Sequence, residues 1–215
     1  MTSLPAFPTR RAAAALTLLL LFGAVAALVE AGVSQTLDIR VRGFVHALAS
    51  PALTDAMPIV TALGSAAVLA PMFALAFAGF YVTRRRDSAW RLAWAMGGAI
   101  VIENALKFSF QRARPEPFFG LVAPETYSFP SGHALFSGCF YGAVAWALAA
   151  NARAPVQRAA ICGVAAALVG AIGFSRVYLG VHYPSDVLGG ILAAAFWLSA
   201  IPPVAGRQRS DDVNR

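Results

Sequence analysis

Two long stretches of this chain, residues 12–29 and 58–83, carry no charged side chain at all. Such stretches have few ways to fold. A helix that crosses a bilayer needs about 20 mostly apolar residues, and it pairs its own backbone polar groups away from water. Four more runs follow, at 92–106, 134–152, 159–175 and 187–206. The third of the six is the weakest, because Glu103 and Asn104 interrupt it and Lys107 closes it. Over the 215 residues, 59% are hydrophobic and only 13% charged. A soluble domain has roughly 45–50% apolar and about 25% charged residues, and one core of this size cannot bury the excess. The same figures exclude a disordered, collagenous or coiled-coil chain. The expected fold class is all-α, a polytopic membrane protein built as a bundle of six transmembrane helices. The first run is longer than the roughly 7–15 residue apolar core of a signal peptide, so it is expected as a retained helix.

Lysine and arginine set the orientation of such a bundle, because basic loops stay on the cytoplasmic side. With six spans both termini share a side. That side also holds the 84–91 and 151–158 loops, and together these segments carry eleven of the 17 basic residues. The expected organisation is a cytoplasmic N-terminus over 1–11, a membrane domain over 12–206 and a polar cytoplasmic tail over 207–215. The chain is placed in the inner, cytoplasmic membrane. The formal charge of +7 is then a topology signal and implies no nucleic-acid partner. Between the first two runs, Leu37, Val41, Phe44, Val45 and Leu48 recur at helical spacing, while Asp38, Arg42 and His46 fall elsewhere. This pattern predicts a short amphipathic helix on the outer membrane surface. Pro51 and Pro58 are expected to bracket the turn that follows. Cys139 and Cys162 lie in apolar runs and read as small buried hydrophobes.

Three polar clusters lie at span ends on the outer side: Lys107 to Pro115, Pro130 to His133, and Ser175 to Asp186. Charge at this depth is costly unless it is paired or functional. Lys107, Arg114 and Arg176 would repel one another without an anion, and the planar arginine fork suits phosphate oxygens. Ser131 is a natural N-cap, and the free N–H groups of the helix start suit the same anion. His182 and Asp186 are four residues apart. The carboxylate can hold the proton of one ring nitrogen and leave the other to attack phosphorus. His133 is placed to protonate the leaving oxygen. No carboxylate cluster for two metals is present in the sequence, so a metal-free reaction without a cofactor is expected.

These clusters resemble the signature of the type 2 phosphatidic acid phosphatase (PAP2) superfamily, K-x6-R-P, P-S-G-H and S-R-x5-H-x3-D, and every fixed position is filled in order. The resemblance runs from about residue 37 to about 200. It implies a six-helix membrane bundle with the site facing the periplasm or lumen. It implies His182 as nucleophile, Asp186 as its partner and His133 as general acid. Lys107, Arg114, Ser131, Gly132 and Arg176 would bind phosphate. The implied substrate is a membrane lipid phosphate or diphosphate, of the phosphatidic acid, phosphatidylglycerophosphate, undecaprenyl pyrophosphate or lipid A type.

Single residues also have plainer readings. Lys107 and Arg114 could be interfacial anchors. Glu103 is expected to orient Lys107 one helical turn on. Asp186 could simply stabilise a helix start. Arg112 is read as a solvated loop charge able to steer anions, and His46 as a polar-face residue without chemistry. Phe118, Phe119 and Tyr127 are read as interfacial anchors. Rival functions are a lipid phosphotransferase or oxidase on the same site, and a non-catalytic phospholipid or anion transporter. A transporter would have no use for a paired histidine.

Overall fold

The computed structural model describes residues 9–122 and 124–202. The expected tail over 207–215 lies outside them, as do residues 1–8 and the end of the sixth run. Eight helices and no strand occur among the described residues. They are α1 (Thr9–Glu30), α2 (Gln35–Ala47), α3 (Pro51–Ala62), α4 (Ala66–Val82), α5 (Arg86–Phe110), α6 (Gly132–Ala149), α7 (Pro155–Tyr178) and α8 (Pro184–Ala200).

Helix α6 is the centre of the bundle and packs on α4, α5, α7 and α8. Small residues on the facing helices let it do so. Ala95 and Ala99 of α5 and Ala193 and Ala194 of α8 are buried with Leu135 and Cys139 of α6, and small side chains allow close helix approach in a membrane bundle. Helix α1 lies along α8. The outer surface is apolar, with Leu75 75%, Val101 68% and Phe108 70% exposed. Hydrocarbon tolerates such a surface and water does not.

By length and composition α1 and α7 are each long and apolar enough to cross a bilayer, and the bent pair α3–α4 is so only when taken as a single broken span. Helix α8 is apolar but has 17 residues. Helix α5 has 25 residues and carries Arg86, Asp87, Arg91, Glu103 and Lys107.

Three sequence expectations are corrected here. The uncharged run 58–83 is not one straight helix, because it breaks at 63–65 and bends by 46°. Gly64 sits at the break, where an added Cβ would lie 2.6 Å from Ile172 Cγ2 and 3.3 Å from His133 Cδ2. Absence of a side chain lets the elbow approach α7 and the start of α6. Pro58 does not mark a turn, because it lies inside α3, and Pro51 alone opens that helix behind the Ser50 cap. Cys139 is buried as expected, whereas Cys162 is exposed.

Candidate active site

The three polar clusters meet where α5 ends, α6 begins and α7 turns into α8. Backbone bonds fasten the junction: Ser131 N–H donates to Asp186 O at 2.9 Å, Ser128 N–H to Arg112 O at 2.8 Å and Phe118 N–H to Leu179 O at 3.0 Å. Gly190 of α8 lies against the start of α6, and a Cβ there would stand 2.6 Å from Ser131 O.

Pro184 starts α8, and Asp186 sits in its first turn. The fully buried carboxylate accepts four donors. Oδ2 receives Ser128 Oγ–H at 2.5 Å, Tyr183 N–H at 2.9 Å and His182 Nδ1 at 3.3 Å. Oδ1 receives Arg112 Nη1 at 2.6 Å. Asp186, at the third position of α8, therefore both reaches back to the N-cap Tyr183 N–H and partners the histidine.

On the other side of the imidazole, Arg114 Nη1 lies 3.0 Å from His182 Nε2. A guanidinium can only donate, so Nε2 accepts and the ring proton resides on Nδ1, facing Asp186. The His182 side chain is 2% exposed. Burial pushes its pKa down to about 4, with the Asp186 hydrogen bond pulling the other way. The ring is thus neutral at pH 7, and its Nε2 lone pair points to the arginine and accepts from it.

The remaining expected residues lie at the same junction, on the end of α5, the start of α6 and the end of α7. His133, in the first turn of α6, sits beside His182 in the combined field of Arg176, Arg114 and Lys107. Lys107 Nζ pairs with Glu103 Oε1 at 2.8 Å across one helical turn, as expected, and Gly132 packs against the same carboxylate. Arg114 is steadied by Thr126, through Nε to the carbonyl at 2.6 Å and Nη2 to the hydroxyl at 2.9 Å. Arg176 Nη1 reaches Thr61 Oγ1 at 2.8 Å. Arg176 Nε and Ser131 Oγ are buried and have no hydrogen-bond partner among the described residues. Ser131 holds the N-cap position without a side-chain capping bond, so its hydroxyl is left for another acceptor. Two orphan donors, three cations and the unpaired N–H groups of a helix start suit a tetrahedral oxyanion.

Several residues here escape the sequence reading. Arg112 is not a solvated charge: its side chain is 11% exposed and ion-paired to Asp186 and to Asp38. Asp38 of α2 is itself buried, not part of a wet face. Ser128, Ser185, Thr61 and Thr126 supply supporting bonds. The signal that was available is sign complementarity, an acid and a base placed at the same depth in a chain poor in charge. His46 and Phe118 are half-buried and stack on each other at 3.8 Å, whereas Phe119 stacks on Tyr178 at 5.4 Å and stays 41% exposed, as an interfacial anchor would be.

A family model described as PAP2 superfamily matches residues 88–210, which include all three clusters except their surface-helix support. The chain belongs to the PAP2 superfamily. Phosphatidylglycerophosphatase B of Bacillus subtilis (strain 168) is 32% identical over 178 residues, covering 81% of this chain and 86% of that protein. Lipid A 1-phosphatase of Rhizobium etli is 36% identical over 115 residues, 48% of this chain and 44% of that one. Undecaprenyl-diphosphatase of Sulfolobus acidocaldarius is 35% identical over 106 residues, 47% of each chain. The crystal structure of the transmembrane PAP2 type phosphatidylglycerolphosphate phosphatase from Bacillus subtilis superposes with a TM-score of 0.79 at 28% identity, over 86% of this chain and 92% of that one. LpxE of Aquifex aeolicus shares the fold, with a TM-score of 0.56 at 20% identity over 75% of this chain and 92% of that one. The family-model match spans α5 from residue 88 through α8, and the paired histidine lies inside it.

Proposed function

We propose that this protein is an integral membrane phosphatase that hydrolyses a lipid phosphate or diphosphate through a phosphohistidine on His182. The observation that carries this reading is the orientation of the His182 ring, with Nδ1–H toward Asp186 and Nε2 toward Arg114. Phosphate oxygens held by Lys107, Arg114, Arg176, Ser131 and the Gly132 N–H would set phosphorus against Nε2. In the first step the N–P bond forms, the P–O bond to the lipid breaks, and His133 gives the leaving oxygen a proton. In the second step water attacks phosphorus, His133 takes its proton, and the N–P bond breaks. The cations act most strongly on the charge that develops in the transition state. They fill the role a metal would otherwise take, and the nearby carboxylates of Asp186 and Glu103 are each already engaged by a cation.

The bundle is proposed to cross the membrane six times, through α1, α3–α4, α5, α6, α7 and α8, with α2 on the outer surface. Both termini are cytoplasmic and the site faces the periplasm or outside. The lipid keeps its tails in the bilayer and offers its head group to the site. Phosphatidylglycerophosphate heads the substrate panel, because the relative matched along most of this chain carries the name phosphatidylglycerophosphatase B.

The test is phosphate release by the purified protein from phosphatidylglycerophosphate, phosphatidic acid, undecaprenyl pyrophosphate and lipid A. Turnover of at least one lipid is expected, and its loss by orders of magnitude in His182→Ala. Normal turnover in purified His182→Ala would remove the mechanism. Lipid binding without phosphate release from any of the four would favour the transporter reading.

A further inference from the structure

The geometry points to Arg112 as a positioning residue that fixes the Asp186 carboxylate and is itself held by Asp38 of the surface helix α2. This inference rests on the proposed reaction at His182 and names how that site is kept in register.

The argument starts from where the chain leaves α5. Gln111 closes the helix in the left-handed region at φ 42°, and the following residues run outside regular structure to 117. Arg112 and Arg114 are two residues apart, yet their side chains do different things. Arg114 meets the nucleophilic nitrogen side of His182. Arg112 approaches from the opposite side, through the carboxylate. Its Nη1 donates to Asp186 Oδ1 at 2.6 Å and to Ser185 Oγ at 2.7 Å. Its Nη2 donates to Asp38 Oδ2 at 2.8 Å and to Gln35 Oε1 at 3.3 Å. The guanidinium lies 4.2 Å over the Tyr183 ring. Both terminal nitrogens are thus engaged by acceptors on α2 and at the start of α8, away from His182 Nε2.

Asp38 completes the bracket. Its Oδ1 accepts Ser185 N–H at 2.9 Å and its Oδ2 accepts Ser185 Oγ–H at 2.6 Å. One carboxylate of α2 therefore grips both the first turn of α8 and the arginine that holds Asp186. A buried ion pair is poor evidence for stability, since desolvation offsets its attraction. A fixed direction is what this one supplies: with Oδ1 anchored by Arg112, Oδ2 is the atom presented to His182. Loosening that anchor lets the carboxylate turn, and the imidazole loses the bond that keeps its proton on Nδ1. Helix α2 carries exposed Leu37 and Phe44, so an amphipathic helix at the bundle surface is two contacts from Asp186.

The experiment uses the full chain in detergent micelles, with Arg112→Gln, Arg112→Lys, Asp38→Asn and the Asp38→Asn/Arg112→Gln pair. Turnover is measured on the four lipids, and the histidine tautomers are read from 15N shifts after histidine labelling. The chain has 3 histidines, so single replacements assign them. Arg112→Gln is expected to lower kcat about 10- to 100-fold with KM within about twofold, as for loss of an orienting contact behind a reactive group. Arg112→Lys should recover part of that loss. Asp38→Asn should lower kcat about 3- to 10-fold, and the pair should be no slower than Arg112→Gln alone, because the two act through one contact. In Arg112→Gln the His182 ring should shift from the Nδ1–H form toward a mixture. An increase in KM at unchanged kcat would instead make Arg112 a phosphate-steering charge and overturn the proposal. So would wild-type turnover and an unshifted ring in both Arg112→Gln and Asp38→Asn. If Arg112→Gln fails to fold, Arg112→Lys and Asp38→Asn decide by the same readings. If the wild type turns over none of the four lipids, the hydrolase reading fails, and the ring tautomer still decides the role of Arg112.

Discussion

Replacing Asp186 by asparagine tests the centre of the site, because the carboxylate's four hydrogen bonds leave a carboxamide no good orientation. Asp186 accepts from Arg112 Nη1 at 2.6 Å on one oxygen, and on the other from Ser128 at 2.5 Å, Tyr183 N–H at 2.9 Å and His182 Nδ1 at 3.3 Å. An asparagine has one acceptor oxygen and one NH2. Neither Arg112 nor the Tyr183 amide can accept, so donor meets donor whichever way the group is turned. With the oxygen toward Arg112, the Tyr183 N–H is orphaned at about 1–3 kcal/mol. The opposite turn sets the NH2 against a guanidinium and costs more, since charged groups lose the larger bond. In the first arrangement the NH2 also faces His182 Nδ1 and can be accepted only if the ring proton moves to Nε2. The nucleophilic lone pair is then gone. A carboxylate-to-amide change behind a serine protease histidine lowers kcat about 10⁴-fold through the same wrong tautomer, which is about 5 kcal/mol of barrier. Asp186→Asn is therefore expected to lower kcat by about 10³- to 10⁴-fold. KM should stay near wild type, because Lys107, Arg114 and Arg176 are untouched. The assay is steady-state phosphate release with a parallel thermal unfolding curve. A kcat within about tenfold of wild type in a protein of unchanged Tm would refute the assigned tautomer and the role drawn from it.

Gly190→Ala places a Cβ 2.6 Å from Ser131 O and 3.2 Å from Leu135 N. These are backbone atoms, so α8 must move away from the start of α6. A destabilisation of about 1–3 kcal/mol is expected, with lower kcat, whereas Gly163→Ala, with nothing within 4 Å, should leave thermal unfolding and turnover near wild type. The acid limb of kcat/KM should fall near pH 4, not near 6.5, because burial lowers the His182 pKa to about 4. The proposed nucleophile must be neutral, so activity is expected to hold as pH decreases through 6.5 and to fail only as the ring takes a proton near 4; a limb centred at 6.5 in the free enzyme would contradict this. The same shift has a stability consequence. The folded ring resists a proton that the unfolded chain binds at 6.5, so this contribution to stability is full above 6.5 and is lost as pH falls toward 4, measurable as a decline in Tm. Phosphate release should survive EDTA at full rate, and a requirement for Mg²⁺ would remove the metal-free reaction.

The contrast between Arg112 and Arg114 shows which parts of the site are local. His182 and Asp186 share one turn of chain, and Ser131, Gly132 and His133 share one helix start, so spacing alone puts each group in register. Arg114 and Arg112 sit two positions apart in the same segment, and nothing local distinguishes them. Their fates are decided by residues far away: Asp38 lies 74 positions from Arg112, and Val181 and His182 lie 67 and 68 from Arg114. Periodicity assigns Asp38 to the side of α2 away from its apolar stripe, and that side proves to face the start of α8, not water. The elbow at 63–65 is hidden for a different reason. Hydropathy measures whether a run is apolar, and the run 58–83 is apolar throughout, so the 46° bend at Gly64, where the chain packs close on Ile172, leaves no trace in it. Both omissions have one physical origin, the side-chain contact between distant segments. Charge scarcity narrows it. In a chain that is 13% charged, an acid and a base near span ends must find each other or water. Asp38 and Arg112 meet that demand in each other, and their pairing is what brings α2 to the His182 site.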